Sequence, residues 1–182
     1  RGVGSLAGRR KIEHIRATAR LSGREANGGV LTIQPVSDEG GSKTEVPTEI
    51  EAKQIILATG AAPKVLPMMP AEDERVWTSE RALDLPSIPK RLLVVGAGYI
   101  GLEMSYTYQG LGSKVDIVEM TDGLMPGADR DLVEVFEQSN RDTFNRILLS
   151  TLVDGVEPKK SGLTVSFTGE GAPREPSTYD AI

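Results

Sequence analysis

The chain has 182 residues, of which 38% are hydrophobic and 26% charged, and its formal net charge at pH 7 is -5. This composition predicts a globular chain with one or two modest cores. The acidic balance leaves no broad positive field for phosphate backbones, so we expect no nucleic-acid binding. No apolar run approaches the roughly 20 residues that cross a bilayer, and no export signal is recognisable, so we expect no membrane role and a cytoplasmic location.

Cysteine is absent from the sequence. This excludes disulfides, thiolate metal sites and a thiol nucleophile within the chain. The one histidine, His14, is expected to be a packed or surface residue rather than a ligand. We therefore expect neither a metal site nor thiol chemistry in these residues.

Three extended segments with alternating polar and apolar positions occupy the first third of the chain. They cover residues 15–21, 30–36 and 48–58. Turns rich in glycine, asparagine and aspartate lie between them at 27–29 and 38–42. The period of two and the two turns predict an antiparallel β-meander.

The third segment changes character before it ends. It becomes continuously apolar at residues 55–57, which predicts a strand that leaves a half-exposed ribbon and enters a buried sheet. Residues 61–86 are rich in proline and predict a linker with one short helix near 79–83. We therefore expect a domain boundary near Ser87.

Strands and helices alternate after this boundary. The predicted elements are a strand at 91–95, a helix at 99–111, a strand at 114–119 and a helix at 130–144, followed by short strands. Such alternation is typical of a parallel sheet with crossover helices. We therefore predict an α/β fold in which a β-meander at 1–60 precedes a parallel domain at 87–182.

A glycine-rich turn joins the first strand of the predicted parallel domain to its helix. Its residues are Gly96-Ala97-Gly98-Tyr99-Ile100-Gly101. Gly96 allows a tight turn, Gly98 lets the backbone approach a pyrophosphate, and Gly101 lets the helix pack closely on the strand. The helix N-terminus then offers unpaired N–H groups and the positive end of its dipole to the phosphates. The turn therefore predicts a Rossmann-like dinucleotide site.

The second strand of this domain ends on Glu119, about 20 residues beyond Gly98. A carboxylate there can accept hydrogen bonds from both ribose hydroxyls and would repel the 2′-phosphate of NADP. We therefore predict NAD as the ligand, the alternative being a surface carboxylate with no ligand role. The sequence does not decide the roles of two nearby residues. Glu103 could simply stabilise the helix through its dipole, and Tyr99 could cover the nicotinamide region or only pack against its neighbours.

Several stretches resemble the pyridine nucleotide-disulfide oxidoreductases. Residues 55–63 are similar to the strand and Ala-Thr-Gly turn that lead out of the flavin domain of that family. Residues 96–105 and 111–119 are similar to its NAD fingerprint and to the strand that ends on the ribose-binding acid. Residues 127–133 and 179–182 resemble the dihydrolipoamide dehydrogenases of the family in particular.

This resemblance implies roles for individual residues. Ala58, Thr59 and Gly60 match the turn that contacts FAD. Glu103 matches a carboxylate on the flavin and nicotinamide side of the site, which is the one catalytic role implied here. Val153 matches a position that lines the adenine pocket. The resemblance therefore implies two cofactors, FAD and NAD, for the protein to which these residues belong.

The remaining implied roles concern the glycine-rich turn. Tyr99 matches a position whose ring, in some members, covers the flavin until nicotinamide displaces it. Ile100, the next residue, is also expected to contact NAD. NADPH-using relatives commonly have alanine at the position of Gly101 and lack the acid at the position of Glu119. Both residues therefore favour NADH, in agreement with the electrostatic argument.

In the family, electrons pass from dihydrolipoamide, carried on the acyltransferase of a 2-oxoacid dehydrogenase complex, to a cysteine pair, then to FAD and to NAD⁺, within a homodimer. This chain has no cysteine and no first flavin fingerprint. We therefore expect an internal piece of a longer protein, the end of a flavin domain followed by a truncated NAD domain, that is inactive alone. The alternatives are another family member, such as a mercuric reductase or a soluble transhydrogenase, or a non-catalytic NAD-binding module.

Overall fold

The computed structural model describes residues 2–15, 17–25, 28–35 and 49–182. The chain divides into two units, Arg1–Ala61 and Ala62–Ile182. The second unit contains every predicted element of the parallel domain together with the proline-rich segment that precedes it.

The first unit contains one helix and an antiparallel sheet. Its elements are α1 (Gly2–Arg9), β1 (Ala17–Glu25), β2 (Gly28–Pro35) and β3 (Glu49–Ala52). The strands pair in the order β1-β2-β3, which confirms the predicted meander. Helix α1 was not predicted, and it buries none of its residues. Asn27 of the first predicted turn and the whole of the second, at 38–42, lie outside the described residues.

The strand predicted at 55–57 does not form. Strand β3 ends at Ala52, and the residues that follow it have no regular secondary structure. Ile56 is 90% exposed and Leu57 is 72% exposed. A buried strand needs neighbours on both edges to pair its N–H and C=O groups and layers that cover its faces. Among the described residues of this unit, no further strand offers that pairing.

The second unit combines a parallel and an antiparallel sheet. Its elements are α2 (Ser79–Leu83), β4 (Arg91–Val95), α3 (Tyr99–Gly110), β5 (Lys114–Val118), α4 (Arg130–Ser139), β6 (Arg146–Leu148), β7 (Thr151–Lys159), β8 (Gly162–Gly169) and β9 (Ser177–Tyr179). Strands β4, β5 and β6 pair in parallel in that order, as predicted. Strands β7, β8 and β9 form an antiparallel sheet, so the prediction of a parallel domain over the whole of 87–182 is wrong for its last part.

Alternate side chains of the parallel strands enter two separate cores. Leu92, Val115 and Ile117 lie in the core that also contains Leu102 of α3. Leu93 and Val118 lie in a second core with residues of the antiparallel sheet. This is the period of two expected for strands buried on both faces. The parallel sheet is therefore the middle layer, with helices on one face and the β7-β8-β9 sheet on the other.

Residues 62–86 of the segment predicted as a linker are packed into the second unit rather than lying between two units. The hydroxyl of Tyr108 in α3 donates a hydrogen bond to the carbonyl of Ala82 (2.8 Å), and the rings of Trp77 and Tyr108 lie 5.7 Å apart. Met68 and Met69 pack against the second core. The short helix predicted in this segment is confirmed as α2.

Helix α4 ends earlier than predicted, at Ser139 rather than at 144. Asn140 follows it, and its side-chain amide donates a hydrogen bond to the carbonyl of Phe136 (2.8 Å). Asparagine competes in this way with the helical backbone, and the chain leaves the helix there. Phe144 is then free to pack edge-on against Tyr106, with ring centroids 5.3 Å apart. The apolar pattern up to Phe144 therefore reflects core packing after the helix rather than helix length.

Within the residues that the structure describes, none of the helices has the length and apolar character required to cross a bilayer.

Candidate functional site

The glycine-rich turn forms the predicted bend between strand β4 and helix α3. Gly96 has φ +101°, a left-handed conformation that side chains strongly disfavour. Gly98 is the N-cap of α3 and has an extended backbone (φ -71°, ψ 173°). A Cβ on Gly101 would lie 2.1 Å from the carbonyl oxygen of Gly96. Gly96 and Gly101 therefore need to be glycine for geometric reasons.

The N-terminus of α3 is open to a ligand. Gly98 has no side chain, and no side-chain hydrogen bond caps the helix. The first N–H groups of a helix have no partner within it, and together with the dipole they attract an anion. Tyr99 (70% exposed) and Ile100 (45% exposed) border this opening. The donor set is that of a phosphate cradle.

A matched pair of glycine substitutions tests the close approach at Gly101. We expect Gly101→Ala to lower the free energy of unfolding by about 1–3 kcal/mol, because the new methyl group overlaps a backbone carbonyl that must move. Gly110→Ala, at the end of the same helix, places its methyl group in open space and should be neutral or slightly stabilising. Urea unfolding of both variants measures their free energies of unfolding. Equal effects would contradict the close approach of Gly101 to the Gly96 carbonyl.

Strand β4 lies where the order of strands reverses. On one edge it pairs with β5, and on the other Leu92 forms a parallel bridge with Ala181. The N–H of Leu93 donates to the carbonyl of Ala181 (3.1 Å), and the N–H of Asp180 donates to the carbonyl of Arg91 (2.9 Å). In open α/β sheets, ligands bind at such a switch point, outside the carboxyl ends of the strands.

A cavity of about 530 Å³ borders this point within the second unit. Its walls include Val95 at the end of β4, Tyr99 and Met104 of α3, and Trp77 of the preceding segment. Most of these side chains are apolar, as in many sites that hold a flat ring beside a few polar groups. The glycine-rich turn therefore lies between this cavity and the end of β5.

Glu119 follows the end of β5 and points back to the glycine-rich turn. Its side chain is buried, with 6% of the residue exposed. The N–H of Ala97 donates to Oε2 (2.9 Å), while the N–H and the hydroxyl of Thr121 donate to Oε1 (2.8 and 2.9 Å). The carboxylate is thus held against the turn that the sequence predicts as its partner in the site.

The same contacts keep Glu119 ionised. Burial acts to raise the pKa of this carboxyl group, but the N–H groups of Ala97, Thr121 and Met120 and the Thr121 hydroxyl outweigh burial and hold the pKa below its ordinary value. A negative carboxylate that still has free acceptor positions can accept hydrogen bonds from hydroxyl groups, and its charge repels a phosphate.

The loop after Glu119 is held by Arg130. The guanidinium group donates hydrogen bonds to the carbonyls of Leu124 (3.0 Å), Met125 (2.7 Å) and Ala128 (3.0 and 3.1 Å). The N–H of Met125 in turn donates to the carbonyl of Ala97 (2.9 Å). Arg130 therefore supports the glycine-rich turn through this loop, a role for which the sequence shows no signal beyond the family resemblance of its segment.

Arg130→Lys tests this support. Lysine has three donors on one nitrogen and cannot reproduce the planar fork of arginine. We expect faster amide hydrogen exchange in residues 121–128, with little change in overall stability. Arg141→Lys, an exposed arginine just after α4, is the control. Unchanged exchange in the loop would show that Arg130 is dispensable there.

A buried ionic cluster that the sequence patterns do not predict joins the parallel strands to the antiparallel sheet. Asp116 of β5 is 1% exposed and forms an ion pair with Arg146 of β6 (2.6 Å). Its carboxylate also accepts hydrogen bonds from Tyr179 (2.8 Å) and from Asn145. A charged residue within the apolar run of β5 is the only sequence signal, and its partners lie up to 63 positions away along the chain.

The other predicted site residues occupy different surroundings. Glu103 is exposed on α3. Val153, 5% exposed, lies in β7 within the second core. Ala58, Thr59 and Gly60 belong to the first unit and are exposed, and Gly60 has φ +77°. The structure therefore brings together the glycine-rich turn and Glu119, and the ligand roles of all these residues remain predictions.

Comparison with known proteins identifies the family of this chain. The family model described as pyridine nucleotide-disulphide oxidoreductase matches residues 5–175. The dihydrolipoyl dehydrogenase of Vibrio cholerae is 39% identical over 181 residues, which is 100% of this chain and 35% of that protein. The chain thus spans about a third of the length of the curated relatives that it matches.

Solved structures show the same fold. The HOCl-induced flavoprotein disulfide reductase of Escherichia coli is 29% identical, with a TM-score of 0.60 over 73% of this chain and 30% of its own. The water-forming NADH oxidase of Lactobacillus brevis, solved with NADH bound, is 21% identical, with a TM-score of 0.62 over 91% of this chain and 35% of its own. With the family model matched over most of its length, the chain belongs to the pyridine nucleotide-disulphide oxidoreductase family.

Proposed function

We propose that this chain binds NAD(H) at the carboxyl end of its parallel sheet and prefers it to NADP(H). The observation that carries the proposal is the ionised, buried carboxylate of Glu119, held against the glycine-rich turn at the end of β5. Diphosphate and ribose are the two parts of a dinucleotide that a helix N-terminus and a carboxylate recognise. The helix N-terminus follows the carboxyl end of β4 and Glu119 follows the carboxyl end of β5, and the two strands are parallel.

The residues present fit this ligand. The uncapped N-terminus of α3 supplies donors for the pyrophosphate, and the missing side chain of Gly98 leaves the backbone accessible. Glu119 accepts the hydroxyls of the adenosine ribose, and Val153 is proposed to line the adenine pocket. Tyr99 and Ile100, at the mouth of the 530 Å³ cavity, bound the nicotinamide half. NAD supplies the nicotinamide ring that carries a hydride, and the chain's own residues orient it and exclude water.

We further propose that the protein to which this chain belongs is a flavoprotein disulfide reductase that oxidises dihydrolipoamide with NAD⁺. The support is the family and the name of the Vibrio cholerae relative, 39% identical across the whole chain. Under this proposal Ala58, Thr59 and Gly60 contact FAD, and Glu103 lies on the flavin side of the nicotinamide. Its partners would be a second subunit and the lipoyl-bearing acyltransferase of a 2-oxoacid dehydrogenase complex. The chain alone, without cysteine, would be inactive.

Titration of the 182-residue chain with NADH and with NADPH tests the first proposal. Transfer of protein excitation to bound nicotinamide, or calorimetry, gives both dissociation constants. We expect NADH to bind at least about tenfold more tightly, because the 2′-phosphate of NADPH would lie against a buried carboxylate and a tenfold change corresponds to about 1.4 kcal/mol. Equal or tighter binding of NADPH would contradict the assignment of Glu119.

The second proposal needs the full-length protein. We expect that protein to contain FAD and to reduce NAD⁺ with dihydrolipoamide as the electron donor. Mercuric reduction, or hydride exchange between NADH and NADP⁺, without lipoamide activity would assign it to another branch of the family. Binding of NADH without flavin or any of these activities would favour a non-catalytic module.

A further inference from the structure

Thr121 places two hydrogen-bond donors against the carboxylate of Glu119. Its N–H and its hydroxyl both lie within hydrogen-bonding distance of Oε1 of Glu119 (2.8 and 2.9 Å). Its own carbonyl accepts a hydrogen bond from the N–H of Ser150 (2.8 Å). The backbone of Thr121 is therefore fixed at both ends, and the side chain is half-buried beside the carboxylate.

The hydroxyl of Thr121 has two acceptors and one proton. Its oxygen lies 2.9 Å from Oε1 of Glu119 and 3.0 Å from the carbonyl oxygen of Gly123. A hydroxyl group donates one hydrogen bond at a time, and its hydrogen rotates to suit its surroundings. Exchange between the two acceptors therefore needs only rotation of the O–H bond, with no movement of heavy atoms.

The choice of acceptor decides how much of Glu119 is left for a ligand. A carboxylate has about four lone-pair positions, two on each oxygen. Ala97 occupies one on Oε2, and the N–H of Thr121 occupies one on Oε1. When the hydroxyl also donates to Oε1, that oxygen is saturated and only Oε2 can accept. When it donates to Gly123, Oε1 keeps a position for a second ligand hydroxyl, with the backbone N–H of Met120 as the remaining protein donor near the carboxylate.

We propose that the Thr121 hydroxyl is a positioning group with two states, which holds Glu119 when the site is free and turns to Gly123 to release Oε1 for the second ribose hydroxyl. This inference rests on the proposed NAD(H) site. It makes recognition of an intact ribose diol depend on a residue that need not touch the ligand. A ligand lacking one hydroxyl needs only Oε2 and does not require the rotation.

The test compares ADP with 2′-deoxy-ADP on wild type, Thr121→Val and Thr121→Ser by calorimetry. In Thr121→Val nothing competes for the second position on Oε1, so we expect the preference for ADP over 2′-deoxy-ADP to rise about three- to tenfold. That is the range for exchanging a charge-assisted hydrogen bond for a neutral one. Thr121→Ser keeps the hydroxyl and should restore the wild-type preference. A merely structural role would weaken both nucleotides equally and leave their ratio unchanged.

A second measurement does not need a nucleotide. Carbon-detected NMR titration of the Glu119 carboxyl in the free chain should show a higher pKa in Thr121→Val than in wild type, and a restored one in Thr121→Ser. Thr121→Ala replaces the valine variant if that variant unfolds. An unchanged nucleotide ratio or an unchanged Glu119 titration, with normal wild-type binding, overturns this inference alone. Failure of the wild type to bind ADP and NADH overturns the proposed function and this inference with it.

Discussion

Replacing Glu119 with glutamine is expected to weaken NADH binding by about 30-fold or more. The amide keeps the size of the side chain but loses its charge, so hydrogen bonds to the ribose lose their charge-assisted strength, a loss of about 2 kcal/mol. One end of the amide is also a donor, and it would face the N–H of either Ala97 or Thr121. Fluorescence titration with NADH measures the effect, and NADPH binding should suffer less.

Asp122→Asn is the matched control for this substitution. It removes the same charge from an exposed carboxylate three positions further along the loop. An exposed charge is screened by solvent and salt, so NADH affinity should change by less than about twofold. Similar losses in both variants would mean that net charge near the site, rather than the carboxylate of Glu119, determines affinity.

The second large effect is expected for Asp116→Asn, which should lower the free energy of unfolding by about 2–3 kcal/mol. Breaking a buried ion pair by removing one partner costs about 3–5 kcal/mol, and a lower value applies here because the Arg146 side chain is 35% exposed. The amide of the variant keeps one neutral acceptor oxygen in place of the two charged oxygens that serve Arg146, Tyr179 and Asn145. Urea unfolding followed by circular dichroism gives the difference.

A double-mutant cycle separates the pair from its surroundings. Asp116→Asn, Arg146→Gln and the double variant should give a coupling energy above about 1 kcal/mol, since the two groups are in direct contact. Asp154→Asn, in the exposed part of β7, serves as the control and should change stability by less than about 0.5 kcal/mol. Additive effects of the two cluster substitutions would show that Asp116 and Arg146 act independently.

The same cluster predicts how stability depends on pH. Burial acts to raise the pKa of Asp116, but its hydrogen bonds with Arg146, Asn145 and Tyr179 hold that pKa below its ordinary value of 3.8. Its contribution to stability is therefore present above pH 3.8 and is lost as the pH falls through the lower folded value. Burial, together with the neighbouring charge of Asp116, raises the pKa of Tyr179 to about 12.

The tyrosine limits stability at the alkaline end. Because its folded pKa is raised above the ordinary value of 10.0, its contribution is fully present below pH 10 and is lost as the pH rises towards 12. Unfolding midpoints measured between pH 9 and 12 should fall in wild type, and the fall should be smaller in Tyr179→Phe. An equal fall in both proteins would remove Tyr179 from this role.

Much of the second unit follows from local patterns in the sequence. The strand at Arg91–Val95 was predicted at its observed bounds, and the helix after it within one residue of its end. The turn between them could be predicted because Gly96 and Gly101 are required by backbone conformation and by close packing, which are properties of neighbouring residues. The meander of the first unit was also predictable, whereas the strand at 55–57 was not formed because a buried strand depends on pairing partners rather than on its own apolar residues.

The sequence by itself determined the glycine-rich bend and the acid at the end of β5, because spacing along a strand and a helix specifies which groups meet across one turn. Only the tertiary structure showed that Asp116, Arg146 and Tyr179 form one buried cluster, that Arg130 supports the turn through the 121–128 loop, and that Ala181 returns to the free edge of β4. These contacts join residues far apart in the chain. Which residues meet in this way depends on how the layers and loops pack, and a local sequence pattern carries no information about that packing.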